Sequence, residues 1–296
     1  MAFYILALSI LCVFSRRNIF IMQQPLWHCL MVLSVISAYA EGYINLYALL
    51  SSGLYVALYH CAINTKRAII RAILSTVFVI TSLALALHWV PGFNNLPIVI
   101  NERITSDAIA FTLYANFDKA MAGLFLCAYF FSNLNPKSKA PVKTDSKTAI
   151  KTEIKVKQPI FIVISTVLAT LMAALILGLV SFDPKVPDFW LAFIAINLLF
   201  TCVAEEALFR GLLQTKLSQI ITPARLSLLA PLITAGIFAL AHFSGGVNYV
   251  LVSIVAGFGY SYIFYKTQRL EWAILCHWLV NVCHFFLFTY PMLSKP

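Results

Sequence analysis

Apolar residues in this chain come in long stretches, and most of the stretches are about as long as a helix that crosses a bilayer. A crossing helix needs about 20 predominantly apolar residues, and the sequence contains ten candidates, of which the first is the shortest. They cover residues 1–14, 19–40, 43–63, 70–90, 109–132, 159–181, 189–209, 226–242, 247–265 and 271–290. The sequence therefore predicts an all-α, polytopic transmembrane helical bundle with eight to ten spans.

The composition excludes the other broad classes of protein. Apolar residues make up 61% of the chain and charged residues 11%, against about 45–50% and about 25% in soluble domains. A water-soluble globular enzyme is therefore excluded. Disorder, collagen and coiled coil are excluded as well, because the apolar residues form long runs rather than polar tracts, Gly-X-Y triplets or heptads.

The formal net charge of +10 arises largely from one lysine-rich segment between residues 133 and 158. Basic clusters beside a transmembrane helix bind anionic lipid, so we expect membrane lipid as a partner and no nucleic acid. We interpret 133–158 as a cytoplasmic linker that follows an N-terminal transmembrane region of unknown role at 1–132. The lysines of the segment are Lys137, Lys139, Lys143, Lys147, Lys151, Lys155 and Lys157.

Two adjacent glutamates stand inside one apolar stretch of the second half. A charged side chain at the bilayer centre costs roughly 2.5–3.5 kcal/mol even on the lenient insertion scale, so Glu205 and Glu206 need a reason to be there. Arg210 lies four residues after Glu206 and shares its helical face, which predicts that Arg210 compensates that charge. An internal salt bridge would explain Glu206 alone, whereas a base for proton transfer would also explain Glu205.

Two further pairs of polar or aromatic residues follow at helical spacing. Phe238 and His242 are four residues apart, and so are His277 and Asn281, so the members of each pair share a helical face. A single intramembrane histidine is more often an interhelical hydrogen bonder than a catalyst. We assign that ordinary role to His28, His60, His88 and His284.

The depth of these residues can be compared along their helices. If the helix that carries Glu205 continues to about Leu217, the rise of about 1.5 Å per residue places the two pairs and Glu205 at similar depth. Asp118 and Lys119 are neighbours in another apolar stretch. Because adjacent helical residues do not face each other, we expect each of them either to have a partner on another element or to face a water-filled cavity.

In this order and spacing, the three motifs resemble the CPBP family, which contains the CAAX prenyl proteases and the bacteriocin-processing or self-immunity membrane proteins also called the Abi family. The resemblance covers about residues 159–290, so we predict a CPBP-like intramembrane protease domain at 159–296. It implies a glutamic endopeptidase that cleaves a membrane-associated or C-terminal-tail peptide substrate with water. It also implies a multi-pass protein of the bacterial cytoplasmic membrane.

The resemblance assigns a role to each motif residue. Glu205 is implied to be the general base that takes a proton from water, with His242 holding and polarising that water. His277 and Asn281 are implied to donate hydrogen bonds to the developing oxyanion. The implied supporting residues are Glu206, Arg210 and Phe238.

Several alternatives remain open at this stage. The resemblance implies no cofactor, but Glu205, His242 and His277 could instead hold Zn²⁺ with water in the fourth position. The motifs would also occur in a non-catalytic bacteriocin-immunity or scaffold protein. A secondary transporter would use intramembrane charges as well, although the two halves show no inverted repeat of the kind common in transporters.

Overall fold

The computed structural model describes residues 1–15, 20–21, 24–133 and 146–294, and for residues 20, 21, 24 and 146–156 it describes the backbone only. It is mostly helical. Six helical segments are long and apolar enough to cross a membrane, which makes the chain a multi-pass membrane protein by length and composition. They are Leu46–Asn64, Ala68–Ala86, Lys157–Ile176, Trp190–Ile220, Val247–Thr267 and Leu270–Leu287. The total of eight to ten spans stays a prediction.

Ten helices and two small sheets lie in the described parts of the chain. The helices are α1 (Ala2–Phe14), α2 (Leu26–Ala40), α3 (Leu46–Asn64), α4 (Ala68–Ala86), α5 (Phe117–Asn133), α6 (Ser146–Ile176), α7 (Trp190–Ile220), α8 (Leu229–Leu240), α9 (Val247–Thr267) and α10 (Leu270–Leu287). Strand β1 (Phe20–Ile21) pairs antiparallel with β2 (Gln24–Pro25), and β3 (Leu96–Glu102) pairs with β4 (Phe111–Ala115).

Some boundaries differ from the prediction. The stretch 109–132 was predicted as one span, but it begins with β4 and its helix starts only at Phe117. Aromatic and β-branched residues in β4 favour a strand, and Asn95 Oδ1 accepts a hydrogen bond from the Phe117 amide at 2.9 Å where the helix begins. Helix α6 begins at Ser146, so the second part of the predicted linker is helical.

Part of the predicted linker lies outside the described residues. This part consists of residues 134–145, and the side chains of Lys147, Lys151 and Lys155 are also outside the described set. The domain boundaries at 132 and 159 therefore stay a prediction.

The contacts divide the chain into two compact units. The first consists of Met1–Ile98, Leu113–Leu134 and Ala195–Ala207. Its central element is α5, most of whose residues are buried and which packs on α1, α3, α4 and the part of α7 that lies in this unit. A Cβ atom added at Gly123 would lie 2.8 Å from the Cα of Ala204, so the backbones of α5 and α7 approach closely there.

The second unit consists of Val99–Thr112, Asn135–Ile194 and Leu208–Pro296. Its central element is α9, which packs on α6, α8 and α10. Two glycines of α9 permit this packing. A Cβ atom added at Gly257 would lie 2.9 Å from the Phe238 ring, and one added at Gly259 would overlap the Thr166 side chain.

We predict that Gly259→Ala destabilises the protein. The added methyl group would meet the buried Thr166 side chain, whose hydroxyl is bonded to the Ile162 carbonyl at 2.8 Å, and overpacking of this kind costs about 1–3 kcal/mol. Gly236→Ala in α8 is the matched control, since an added Cβ there has nothing within 4 Å. Thermal unfolding in detergent should give a lower midpoint for Gly259→Ala only. Equal midpoints would contradict the packing described here.

Candidate active site

Helix α7 carries both glutamates and departs twice from α-helical geometry. Its regular turn Val203–Glu206 lies between two π-helical segments, Asn197–Cys202 and Ala207–Gln214. Such wide turns occur frequently at functional sites. The helix ends at Ile220, so the predicted end at 209 is wrong, and the condition that the glutamate helix continues to about 217 is confirmed.

Arg210 is the largest of the fully buried side chains in the described structure. Its Nη2 atom donates a hydrogen bond to the Gly257 carbonyl at 2.8 Å. The guanidinium carbon lies 4.8 Å from the centre of the Phe238 ring and 5.3 Å from that of Tyr260, within the range of cation–π attraction. Arg210 thus joins α7 to α8 and α9 within the second unit.

His242 lies just beyond the end of α8, although the sequence predicted a helix to 242. Its Nδ1 atom is 2.9 Å from the Phe238 carbonyl oxygen. A carbonyl oxygen only accepts hydrogen bonds, so Nδ1 must carry the proton, and in the neutral ring Nε2 is then the acceptor nitrogen. This contact fixes both the orientation of the ring and the atom that it offers to a ligand.

His277 in α10 is almost completely buried, with 4% of its surface exposed. The Tyr260 ring stacks on it with centroids 4.6 Å apart and an interplanar angle of 15°. The Phe238 ring meets the same imidazole edge to face, with centroids 5.7 Å apart. It also lies against the His242 ring in a tilted arrangement, with centroids 4.6 Å apart. Phe238 therefore contacts both predicted catalytic histidines and Arg210.

A cavity in the second unit is bounded by these side chains. Phe238, His242, His277 and Asn281 all lie in its wall. Its volume is about 70 Å³, measured over the positions that the centre of a water molecule can occupy. A single water needs about 10–15 Å³ by that measure, so the cavity has room for several water molecules beside imidazole and amide groups.

His284 and Tyr260 are residues of the cavity wall that were not predicted to belong to a site. His284 lies one turn after Asn281 and lines the same cavity, with Nε2 3.1 Å from the Thr289 carbonyl oxygen. The place of His284 could have been predicted from the sequence, because His277, Asn281 and His284 follow the i, i+4, i+7 pattern of one helical face. Tyr260 had no comparable signal, since it stacks on His277 from another helix.

Glu205 and Glu206 belong to the first unit. Glu206 is completely buried. Glu205 is about one-fifth exposed, and its Oε1 atom accepts a hydrogen bond from Lys119 Nζ at 2.8 Å. The sequence predicts no cation for Glu205, whereas in the structure Lys119 of α5 provides one.

The expectation that Asp118 and Lys119 have separate partners is confirmed. Lys119 binds Glu205, and the Asp118 carboxylate lies 2.7 Å from Nδ1 of His88. His88 thus has the ordinary hydrogen-bonding role that the sequence assigned to it.

The zinc alternative needs three side-chain ligands close together. Among the residues that the structure describes, no three His, Cys, Asp or Glu side chains are grouped so as to hold a metal ion. The effect of a chelator on activity is therefore a direct test of the alternative.

Comparison with known families identifies one domain in the chain. Residues 187–283 match the family described as Rce1-like, type II CAAX prenyl endopeptidase Rce1-like. The searches of curated proteins and of solved structures gave no match. The matched stretch includes every motif residue of the second half, namely Glu205, Glu206, Arg210, Phe238, His242, His277 and Asn281.

We predict that Arg210→Lys lowers the free energy of unfolding by about 1.5–3 kcal/mol, the range for a hydrogen bond to a charged group. An ammonium group lacks the planar fork that contacts both the Gly257 carbonyl and the aromatic rings. Arg225→Lys is the matched control, because Arg225 lies exposed in a short 3₁₀ turn. Chemical unfolding in detergent compares the two. Equal losses, or none for Arg210→Lys, would contradict the anchoring role.

Proposed function

We propose that the type II CAAX endopeptidase domain at residues 187–283 makes this protein an intramembrane endopeptidase that uses water as its nucleophile. The observation that carries the proposal is the cavity that gathers His242, His277 and Asn281. His242 follows α8, whereas His277 and Asn281 lie on α10, and the matched stretch that contains them also contains Glu205 and Glu206. A water-sized cavity lined by imidazole and amide groups suits hydrolysis of a peptide bond.

In the proposed reaction, Glu205 takes a proton from water while the water oxygen bonds to the scissile carbonyl carbon. The Nε2 atom of His242 accepts a hydrogen bond from that water, because Nδ1 is committed to the Phe238 carbonyl. The carbonyl oxygen becomes an oxyanion, to which His277 and Asn281 donate hydrogen bonds. The C–N bond then breaks, and the proton held by Glu205 passes to the leaving amine.

The remaining motif residues have positioning roles in this proposal. Phe238 packs against both histidine rings, and Tyr260 holds the plane of His277. Arg210 fixes both aromatic rings through the contacts described above. Glu206 is adjacent to Glu205 in α7. Together with Arg210, it adjusts the net charge around Glu205, the proposed base. Such supporting contacts hold reacting groups in a productive geometry.

We further propose that the reaction needs no metal and that the substrate is a peptide or protein with a membrane-associated segment. The matched family is named for the cleavage of prenylated CAAX peptides, so a C-terminal tail held at the membrane by a lipid is the first substrate to test. Membrane lipid is the second expected partner. By the same resemblance, we propose the bacterial cytoplasmic membrane as the location.

We predict that Glu205→Gln and His242→Ala each lower kcat by about 10²–10⁴-fold, the range for the loss of a positioned acid–base group. His277→Ala and Asn281→Ala should each cost about 10²–10³-fold, as for other oxyanion donors. Glu271→Gln is the matched control, since its partly exposed carboxylate is paired with Arg269. Cleavage of lipidated and unlipidated membrane peptides by purified protein provides the measurement.

Full activity in Glu205→Gln or His242→Ala would contradict the proposal. A chelator should leave wild-type cleavage unchanged, whereas cleavage that is lost with a chelator and restored by Zn²⁺ would contradict the metal-free mechanism. Folded wild-type protein that cleaves no candidate peptide would favour the immunity or scaffold function instead.

A further inference from the structure

The N-terminal half of the chain contributes a cation to the domain's predicted base. Lys119 lies on α5, well before the start of the matched domain at residue 187. Its Nζ atom donates to Glu205 Oε1 at 2.8 Å, and 19% of the Lys119 side chain and 20% of that of Glu205 are exposed. A long flexible lysine pays rotamer entropy to hold such a geometry, so the surrounding packing must fix it.

One part of that packing is at the start of α5. The Phe117 amide donates to Asn95 Oδ1 at 2.9 Å, and the next residue, Asp118, has its carboxylate 2.7 Å from His88 Nδ1. Both partners lie in the segment between α4 and β3, so that segment holds the first turn of α5 at two points. Lys119 is the residue after Asp118, and its side chain extends to Glu205 rather than to that segment.

A second part of the packing lies one turn further along α5. An added Cβ at Gly123 would come within 2.8 Å of both Cα and Cβ of Ala204. Gly123 is four residues after Lys119, and Ala204 immediately precedes Glu205. The absence of a side chain at Gly123 thus allows the two helices to approach just where the ion pair forms.

We propose that Lys119 is a positioning residue for Glu205: its ammonium group holds one carboxylate oxygen and compensates the charge, so that the carboxylate keeps the orientation in which it takes a proton from water. The inference rests on the proposed function, since it assigns a role at the same site. It also gives the first half of the chain a part in catalysis.

The test compares Lys119→Met with Lys119→Arg in the full-length protein, with kcat, KM and the thermal midpoint measured for each. Lys119→Met keeps the length of the side chain but removes the cation, and a misplaced base is expected to lower kcat by about 10²-fold. KM should stay near that of the wild type, because Lys119 does not bind the substrate in this account. Lys119→Arg keeps a cation and should restore most of kcat.

Lys185→Met is the matched control. Lys185 is also partly buried and also pairs with a carboxylate, that of Asp183 at 3.3 Å. Lys185 itself is not part of the cavity wall, so its loss removes the same charge without altering the wall, and kcat should be retained even if the thermal midpoint falls. A purely structural role for Lys119 would give the same pattern as Lys185→Met.

Glu205→Gln is assayed in parallel to separate the two claims. If Glu205→Gln is active, the proposed function fails; if it is inactive while Lys119→Met keeps the wild-type kcat, only the inference about Lys119 is overturned. Gly123→Ala provides a second variant should Lys119→Met not fold. It keeps both charges but separates α5 from α7, so a lowered kcat with unchanged KM supports the proposal and a wild-type kcat overturns it.

Discussion

The cost of placing charge inside a membrane is the constraint on which the arrangement of this protein depends. Each charged side chain at bilayer depth needs protein groups that replace water. Arg210 meets that need with the Gly257 carbonyl and two aromatic faces, and Glu205 meets it with Lys119. The same contacts that make these charges tolerable also fix their positions, so in the proposed mechanism one set of interactions both compensates charge and orients the reacting groups.

Close helix packing makes those contacts possible. Gly123 brings α5 to α7 within the first unit, and Gly257 brings α9 to the Phe238 ring within the second. In a membrane, helices associate through van der Waals packing of small residues rather than through the hydrophobic effect. Small residues therefore determine where polar side chains can meet, and in the second unit the result is a cavity lined by His242, His277 and Asn281.

The sequence predicted the helical class, the motif helices and the need for partners at Asp118 and Lys119, because each rests on local spacing or on the cost of burying charge. It did not predict strand β4, because a continuous apolar stretch does not distinguish a strand from a helix. It also did not predict the end of α7 at Ile220, because the helix continues through π-helical turns into residues that are more polar than the apolar stretch. Contacts between distant elements, such as Lys119 with Glu205 and Tyr260 with His277, have no local pattern and required the fold.

The most direct test of the central claim is the fate of water oxygen. Wild-type protein in liposomes is given lipidated membrane peptides in H₂¹⁸O, and the products are identified by mass spectrometry beside those of Glu205→Gln. The account predicts one ¹⁸O atom in the new C-terminal carboxylate of the wild-type product and at least about 10²-fold slower product formation by the variant. Cleavage at the same rate by both proteins, or no cleavage by folded wild-type protein, would contradict it.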